Sequence, residues 1–139
     1  MRGEYRHNID AKGRMIFPIR LREALGEHAV IFRGMDHCLT VFSEEQWNHL
    51  QEKVNAMPIS VGRDIRRFYA ANYELEPDAQ GRIVVPPILR QYADLEKEVT
   101  IIGMMDRVEI WNTAAWEKYN EELDQKKDAL MATMDALGV

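Results

Sequence analysis

The sequence predicts an α+β protein, rich in short strands and built as two copies of one unit with helices on its flanks. Three observations carry this reading. A block of residues near the N-terminus returns 68 positions later with its characteristic residues in the same order. Short β-branched runs are punctuated by Asp-x-x-Gly turns and by prolines. A helical stripe of apolar residues follows each group of strands.

The repeat is explicit in the residues. Asp10, Gly13, Arg14, Pro18, Leu21 and Arg22 return as Asp78, Gly81, Arg82, Pro86, Leu89 and Arg90, at a constant offset of 68. After one inserted residue the correspondence resumes at an offset of 69, pairing Val30 with Val99, Gly34 with Gly103, Leu39 with Val108, Val41 with Ile110, and Trp47 with Trp116. So many ordered matches mean duplication.

Each copy opens with a strand, Tyr5 to Ile9 or Tyr73 to Leu75. Asp then favours the start of a tight turn, and Gly supplies the positive φ that completes it. A short run follows, Met15 to Phe17 or Ile83 to Val85, and is halted by Pro18 or Pro86. Proline also suits a first helical turn, so short helices are expected at Ile19 to Leu25 and at Ile88 to Ala93. Two further strands come next in each copy: Ala29–Phe32 with Cys38–Phe42, and Glu98–Ile102 with Arg107–Trp111. A turn holding Gly34 or Gly103 joins each pair.

Ser43-Glu-Glu-Gln46 has the spacing of a capping box, and the helix after it carries Trp47, Leu50, Val54 and Met57 on one stripe. Its counterpart starts with Asn112 or Thr113 as N-cap and runs to about Leu137, with Trp116, Tyr119, Leu123, Leu130 and Met134 on its stripe. Both stripes are expected to pack on the sheets. Between the copies, Ser60 to Arg63 leads to a small helix over Asp64 to Ala71. The expected division is a first repeat with its helix at 1–57, a linker at 58–72, and a second repeat with its C-terminal helix at 73–139.

Composition narrows the function classes. The 139 residues are 46% apolar, enough to bury a core. No run of about eighteen apolar residues suggests a membrane span. The polar Met1 to Arg6 segment does not read as a secretory signal, and the lone Cys38 cannot form an internal disulfide, so a reducing cytoplasm is expected. The net charge of −5 disfavours a polyanion partner, but its distribution is uneven. Residues 1–22 set Arg2, Arg6, Lys12, Arg14, Arg20 and Arg22 against Glu4 and Asp10, a local +4. Residues 117–139 set three lysines against six carboxylates, a local −3. A basic binding face on an acidic body fits that asymmetry.

Catalytic constellations are missing. His7, His28, His37 and His49 have no metal-like spacing with one another or with Cys38, so neither metal nor cofactor is expected. Neither a phosphate-binding glycine loop nor a Gly-x-Ser-x-Gly elbow occurs. Asp10 and Asp78 could pair as a proteolytic dyad, but neither stands in Asp-Thr-Gly or Asp-Ser-Gly. The protein is not expected to be an enzyme.

The two Asp-x-x-Gly-Arg…Pro signatures resemble those of the MraZ family of bacterial regulators. The opening Arg2-Gly3-Glu4-Tyr5, the stretch Pro87 to Leu95, Leu39-x-Val-Phe…Trp47 and Glu109-Ile-Trp111…Trp116 are similar as well, and the likeness runs from about residue 1 to 125. This resemblance implies a double AbrB-like, swapped-hairpin fold in a pseudo-twofold barrel with flanking helices. It implies a nucleoid-associated, ring-like homo-oligomer on double-stranded DNA. Its targets would be short direct repeats upstream of the cell-division and cell-wall gene cluster, including the protein's own gene. The DNA-facing loops carried over are Asp10 to Arg14 and Asp78 to Arg82, with Arg2 and Arg6 as further basic candidates.

The chemistry of such a loop suits DNA. An arginine just after a turn glycine projects from a hairpin rim, where it reaches phosphates or the paired acceptors of guanine. Gly13 and Gly81 let the backbone approach closely, and their N–H groups can meet phosphate oxygens. Lys12 adds a point charge at the first tip, whereas Gln80 takes that place in the second, so the first loop is the stronger electrostatic candidate. Asp10 and Asp78 have a positioning role, either accepting backbone N–H bonds or holding the arginine by a salt bridge. The rival reading is an antitoxin-like interaction module that docks a protein through the acidic C-terminal helix. No small-molecule substrate is expected.

Overall fold

Most chain reversals fall where the sequence places its punctuation in the computed structural model, which describes residues 1–139. Gly103, expected in a turn, instead lies within the last strand pair opposite Val108, and the chain reverses at Met105 and Asp106, with Met105 at φ +53°. The order is β1 (Glu4–Asn8), β2 (Arg14–Ile16), α1 (Ile19–Leu25), β3 (Val30–Arg33), β4 (Leu39–Phe42), α2 (Glu44–Asn55) and α3 (Ile59–Tyr69). The second copy follows as β5 (Asn72–Glu74), β6 (Arg82–Val84), α4 (Pro87–Ala93), β7 (Glu98–Met104), β8 (Arg107–Asn112), α5 (Thr113–Gln125) and α6 (Lys127–Leu137). The class is α+β, and all the strand pairs are antiparallel.

The pairing crosses between the repeats. Six strands form one sheet in the order β1-β7-β8-β4-β3-β5, and β2 pairs with β6 in a separate two-stranded ribbon. The first strand of each repeat therefore lies against the third strand of the other. The two central pairings are symmetric about equivalent residues: Thr40 stands opposite Glu109, and Met15 opposite Ile83. Equal partners at equivalent positions mark a pseudo-twofold relation between the copies, and it centres on the ribbon and the β4–β8 seam.

One core serves both copies. Met15, Phe17, Leu21, Leu39 and Val41 from the first repeat share it with Ile83, Val85, Leu89, Val99 and Ile110 from the second, all essentially buried. Each such side chain contributes roughly 1.5–3 kcal/mol by leaving water, so neither repeat retains its core without the other. The inward Met15 and Ile83 alternate with outward Arg14, Ile16, Arg82 and Val84, which fixes the outer face of the ribbon.

The helices depart from expectation in two places. α3 begins at Ile59, not Asp64, because the Pro58 carbonyl accepts the first helical bonds from Val61 (3.1 Å) and Gly62 (2.8 Å). Gly62 does not break it. Its backbone is helical like its neighbours', and a Cβ there would stand at ordinary contact distance, 3.4 Å, from the Val54 carbonyl of α2. The C-terminal helix is two helices, broken at Lys126 (φ −99°, ψ 10°), whose N–H turns back to Leu123 O at 3.0 Å.

The apolar stripes diverge as well. The capping box at Ser43 forms, and α2 packs Trp47 against Phe32 with ring centres 4.9 Å apart while burying Val54. In α5, Trp116 is buried beside Trp111, but Tyr119 and Leu123 are exposed. α6 buries nothing, leaving Leu130, Met131, Met134 and Leu137 open. Packing of that stripe on the sheets, expected from the sequence, is corrected here: the sheet surface ends under α5, and α6 extends past it.

Candidate functional site

The two Asp-x-x-Gly-Arg turns are bonded alike. In the first, Asp10 N–H donates to Arg14 O (3.0 Å) and Gly13 N–H to Asp10 O (2.9 Å). The Asp10 carboxylate accepts from the backbone N–H groups of Lys12 and Arg14, both at 2.9 Å, and from Arg14 Nε at 2.7 Å. In the second, Asp78 N–H donates to Arg82 O (2.8 Å) and Gly81 N–H to Asp78 O (3.0 Å). Asp78 accepts from the N–H groups of Gln80 and Arg82, both at 2.9 Å, and from Arg82 Nε at 3.1 Å. The aspartates thus fill both roles that the sequence left open.

Each carboxyl is held below the usual carboxylate range, first by the backbone N–H of its own arginine. For Asp10 the Arg14 guanidinium comes next, and for Asp78 the Gln80 N–H and the Arg82 guanidinium add to it. Both stay charged near neutrality. Because each aspartate takes the Nε edge, the Nη groups of Arg14 and Arg82 have no partner within the chain. About 40% of the Arg14 side chain is exposed, and Arg82 matches it at 39%.

Gly13 and Gly81 adopt φ of +83° and +79°, which a residue with a Cβ enters only under strain. Their carbonyls brace the ribbon across the repeats, with Phe17 N–H donating to Gly81 O (2.9 Å) and Val85 N–H to Gly13 O (2.8 Å). The ribbon is antiparallel, so one turn stands at each of its ends. The result is a single outer face with a turn at either end and Arg14, Ile16, Arg82 and Val84 between them.

Not every predicted residue joins this face. Lys12 lies exposed at the first tip and Gln80 at the second. Arg6, on β1, instead ion-pairs with Glu117 of α5 at 3.0 Å. Arg2 lies at the other end of β1 from the Asp10 turn, with its backbone packed over Gly103 of β7. β1 runs away from the turn as an edge strand, so closeness in sequence does not bring these two arginines to it.

Two further arginines reach the turns from the helices. Arg90 reaches across from α4, with Nη1 donating to Ala11 O (3.1 Å) and Nε to Val85 O (3.0 Å). Arg22 of α1 approaches the other turn, its Nη1 standing 3.6 Å from where a Cβ on Gly81 would be. Their signal was present in the repeat, since Arg22 and Arg90 are equivalent positions, but only the exchange of strands carries each to the opposite turn. Cys38 is buried, donates to Met35 O at 3.0 Å, and has its thiol pushed well above the ordinary range by burial. No three His, Cys, Asp or Glu side chains meet in a way that would hold a metal ion.

Comparison with known proteins places this arrangement. The family model described as "MraZ protein, putative antitoxin-like" matches residues 1–64 and again 68–136. The chain belongs to the MraZ family. Among curated relatives named transcriptional regulator MraZ, that of Acetivibrio thermocellus is 42% identical over 99% of this chain and 98% of its own length. That of Heliobacterium modesticaldum is 50% identical over 86% of both chains. That of Halothermothrix orenii is 41% identical over 99% of this chain. The two family-model segments coincide with the two turn-bearing halves, so each half of the site has its own match. MraZ proteins are transcriptional regulators and not enzymes. No helix here is long and apolar enough to cross a membrane.

Proposed function

We propose that this MraZ-family protein regulates transcription by binding double-stranded DNA in a sequence-specific way through the outer face of the β2–β6 ribbon. One observation carries the reading: two identically bonded turns stand at the ends of one ribbon, each offering an arginine whose Nη groups are unengaged. A two-stranded ribbon fits the major groove, about 12 Å wide, where an arginine fork meets the two acceptors of guanine. Lys12 suits phosphate oxygens, whereas the N–H groups of Gly13 and Gly81, expected from the sequence to meet phosphates, are spent on Asp10 O and Asp78 O inside the turns. Asp10 and Asp78 face the arginines and not the DNA.

The crossed strand pairing is, in this reading, the AbrB-like swapped-hairpin closure, with repeats 1–57 and 73–139 acting as one body joined through 58–72. Short direct repeats upstream of the protein's own gene, in the cell-division and cell-wall cluster, are the proposed target, which puts the protein on the nucleoid in the cytoplasm. An acidic subunit gains affinity by presenting several ribbons at once, and non-specific contacts of one subunit reach only about 10⁻⁴–10⁻⁶ M at physiological salt. The open apolar stripe of α5 and α6 supports self-association into a ring-like homo-oligomer.

The decisive experiment titrates wild type and Arg14→Ala onto the DNA upstream of the gene at two salt concentrations. Tight binding that weakens with salt and is lost in the variant is expected. Undiminished binding by Arg14→Ala would move the contact elsewhere. No binding by the wild type at either salt would leave the protein-docking, antitoxin-like reading in its place.

A further inference from the structure

Arg90 occupies an unusual position for a helix residue in a repeat protein, because one of its two partners, Ala11, belongs to the other repeat. It leaves α4, passes the end of β6 and bridges two backbone carbonyls: Val85 O through Nε (3.0 Å) and Ala11 O through Nη1 (3.1 Å). Ala11 is inside the Asp10–Arg14 turn. The guanidinium also lies flush under Gly13, since a Cβ there would stand 2.8 Å from Arg90 Nε and 2.6 Å from Val85 O. The planar fork of an arginine can satisfy two carbonyls at once in fixed geometry, which a lysine ammonium does not reproduce.

Its equivalent behaves differently. Arg22 donates to no atom of the Asp78–Arg82 turn, and the space under Gly81 holds only its Nη1, at 3.6 Å from the position of a Cβ. Arg22 instead lines an open cleft between α1 and β5 with Glu23, Glu27 and Glu74. The two turns share their internal bonds, then, but only one is gripped from beneath. That same turn carries Lys12, whereas the ungripped one carries Gln80.

We propose that Arg90 is a positioning residue for the DNA-binding face, holding the first turn rigid from the opposite repeat, so that the Asp10–Arg14 turn is a preformed contact and the Asp78–Arg82 turn an adaptable one. The inference rests on the reading of this face as the DNA contact. Fixing a loop before binding removes the ordering cost that would otherwise oppose the contact. Arg90 turns Nε and Nη1 to carbonyls beneath the turn, so its part here is to hold the turn and not to meet a phosphate.

The test compares Arg90→Ala, Arg90→Lys and Arg22→Ala with wild type in two measurements. Amide hydrogen exchange without DNA should rise at least tenfold at Lys12, Gly13 and Arg14 in both Arg90 variants, and stay unchanged at Gln80, Gly81 and Arg82. Arg22→Ala should leave both turns as they are. On the upstream DNA, both Arg90 variants should bind about tenfold more weakly, with the slope of log affinity against log salt equal to that of wild type. A residue on a phosphate would lower that slope by about 0.9 instead. Unchanged exchange at the first turn overturns the proposal, as does a loosened turn that binds DNA as tightly as before, or a lowered slope. Failure of wild type to bind DNA would overturn the functional reading, while the exchange data would still judge the grip.

Discussion

Residues 10–14 and 78–82 are bonded alike, atom for atom, whereas the elements around them have gone separate ways. The first turn has Lys12 at its tip and Arg90 beneath it; the second has Gln80 and, beneath it, only Arg22 Nη1 without a hydrogen bond. The first helix pair packs a half-buried Trp47 between Phe32 and Tyr69, while α6 of the second buries nothing. What duplication kept is the local network that sets the direction of an arginine. What it let drift is everything that decides how firmly that arginine is held and what the neighbouring surface meets.

The sharpest way to break this comparison is to give both turns the same insult. Ala at either glycine must adopt positive φ, which costs roughly 1–2 kcal/mol. Gly81→Ala should lose about that and no more, because nothing crowds the position. Gly13→Ala also drives a methyl into Val85 O and Arg90, adding about 1–3 kcal/mol of overpacking. Urea unfolding of the two variants measures the difference. Equal losses would mean that the first turn is no tighter than the second.

A second contrast concerns the helix pairs. Trp47→Ala removes a half-buried indole from the Phe32 and Tyr69 rings and should cost about 2–3 kcal/mol of subunit stability. Leu130→Asp, on the open stripe of α6, should change subunit stability by less than about 0.5 kcal/mol. Its effect should show instead in sedimentation, as a shift toward smaller species. If Leu130→Asp unfolds the subunit and leaves its assembly intact, α6 packs on its own sheet and the contrast is void.

Much of this architecture is legible in the residues. The offset of 68, changing to 69, between matching residues foretells both turns, the short helices after Pro18 and Pro86, and the paired hairpins. The strand exchange is not legible that way. Short strands such as Asn72–Glu74 carry almost no register information, and their partner is chosen by the shared core. The surroundings of the site were hidden for the same reason. Arg90 stands eight positions after Arg82, and sequence proximity ties it to its own turn, yet the exchange delivers it to the other. Amphipathicity likewise fixed the apolar side of α6 without saying what covers it.

Charge at the turn tips gives a smaller effect. Gln80→Lys makes the second tip match the first and should steepen the salt dependence of DNA binding by about 0.9 for each added phosphate contact. Lys12→Gln should reduce it by the same amount. If the second turn does not touch DNA, Gln80→Lys leaves the slope alone, and the asymmetry of the face becomes complete.

The smallest expected effect lies where the second repeat's first strand meets the first repeat's hairpin. His28, exposed after α1, pairs with Glu74 of β5, and this hydrogen bond holds its imidazole above the ordinary histidine value of 6.5. A folded-state value raised above the unfolded one means that the charged form is preferred in the fold. The pair therefore contributes fully below pH 6.5, and its contribution fades as pH rises through the raised value. No equivalent pair closes the other end of the sheet, where β1 meets β7 through Glu4 to Asn8. His28→Gln should lower the urea midpoint at pH 6 and leave it unchanged at pH 9, with added salt shrinking the difference at pH 6. A larger loss at pH 9 would reverse the sign and remove the ion pair from the account of how β5 is held.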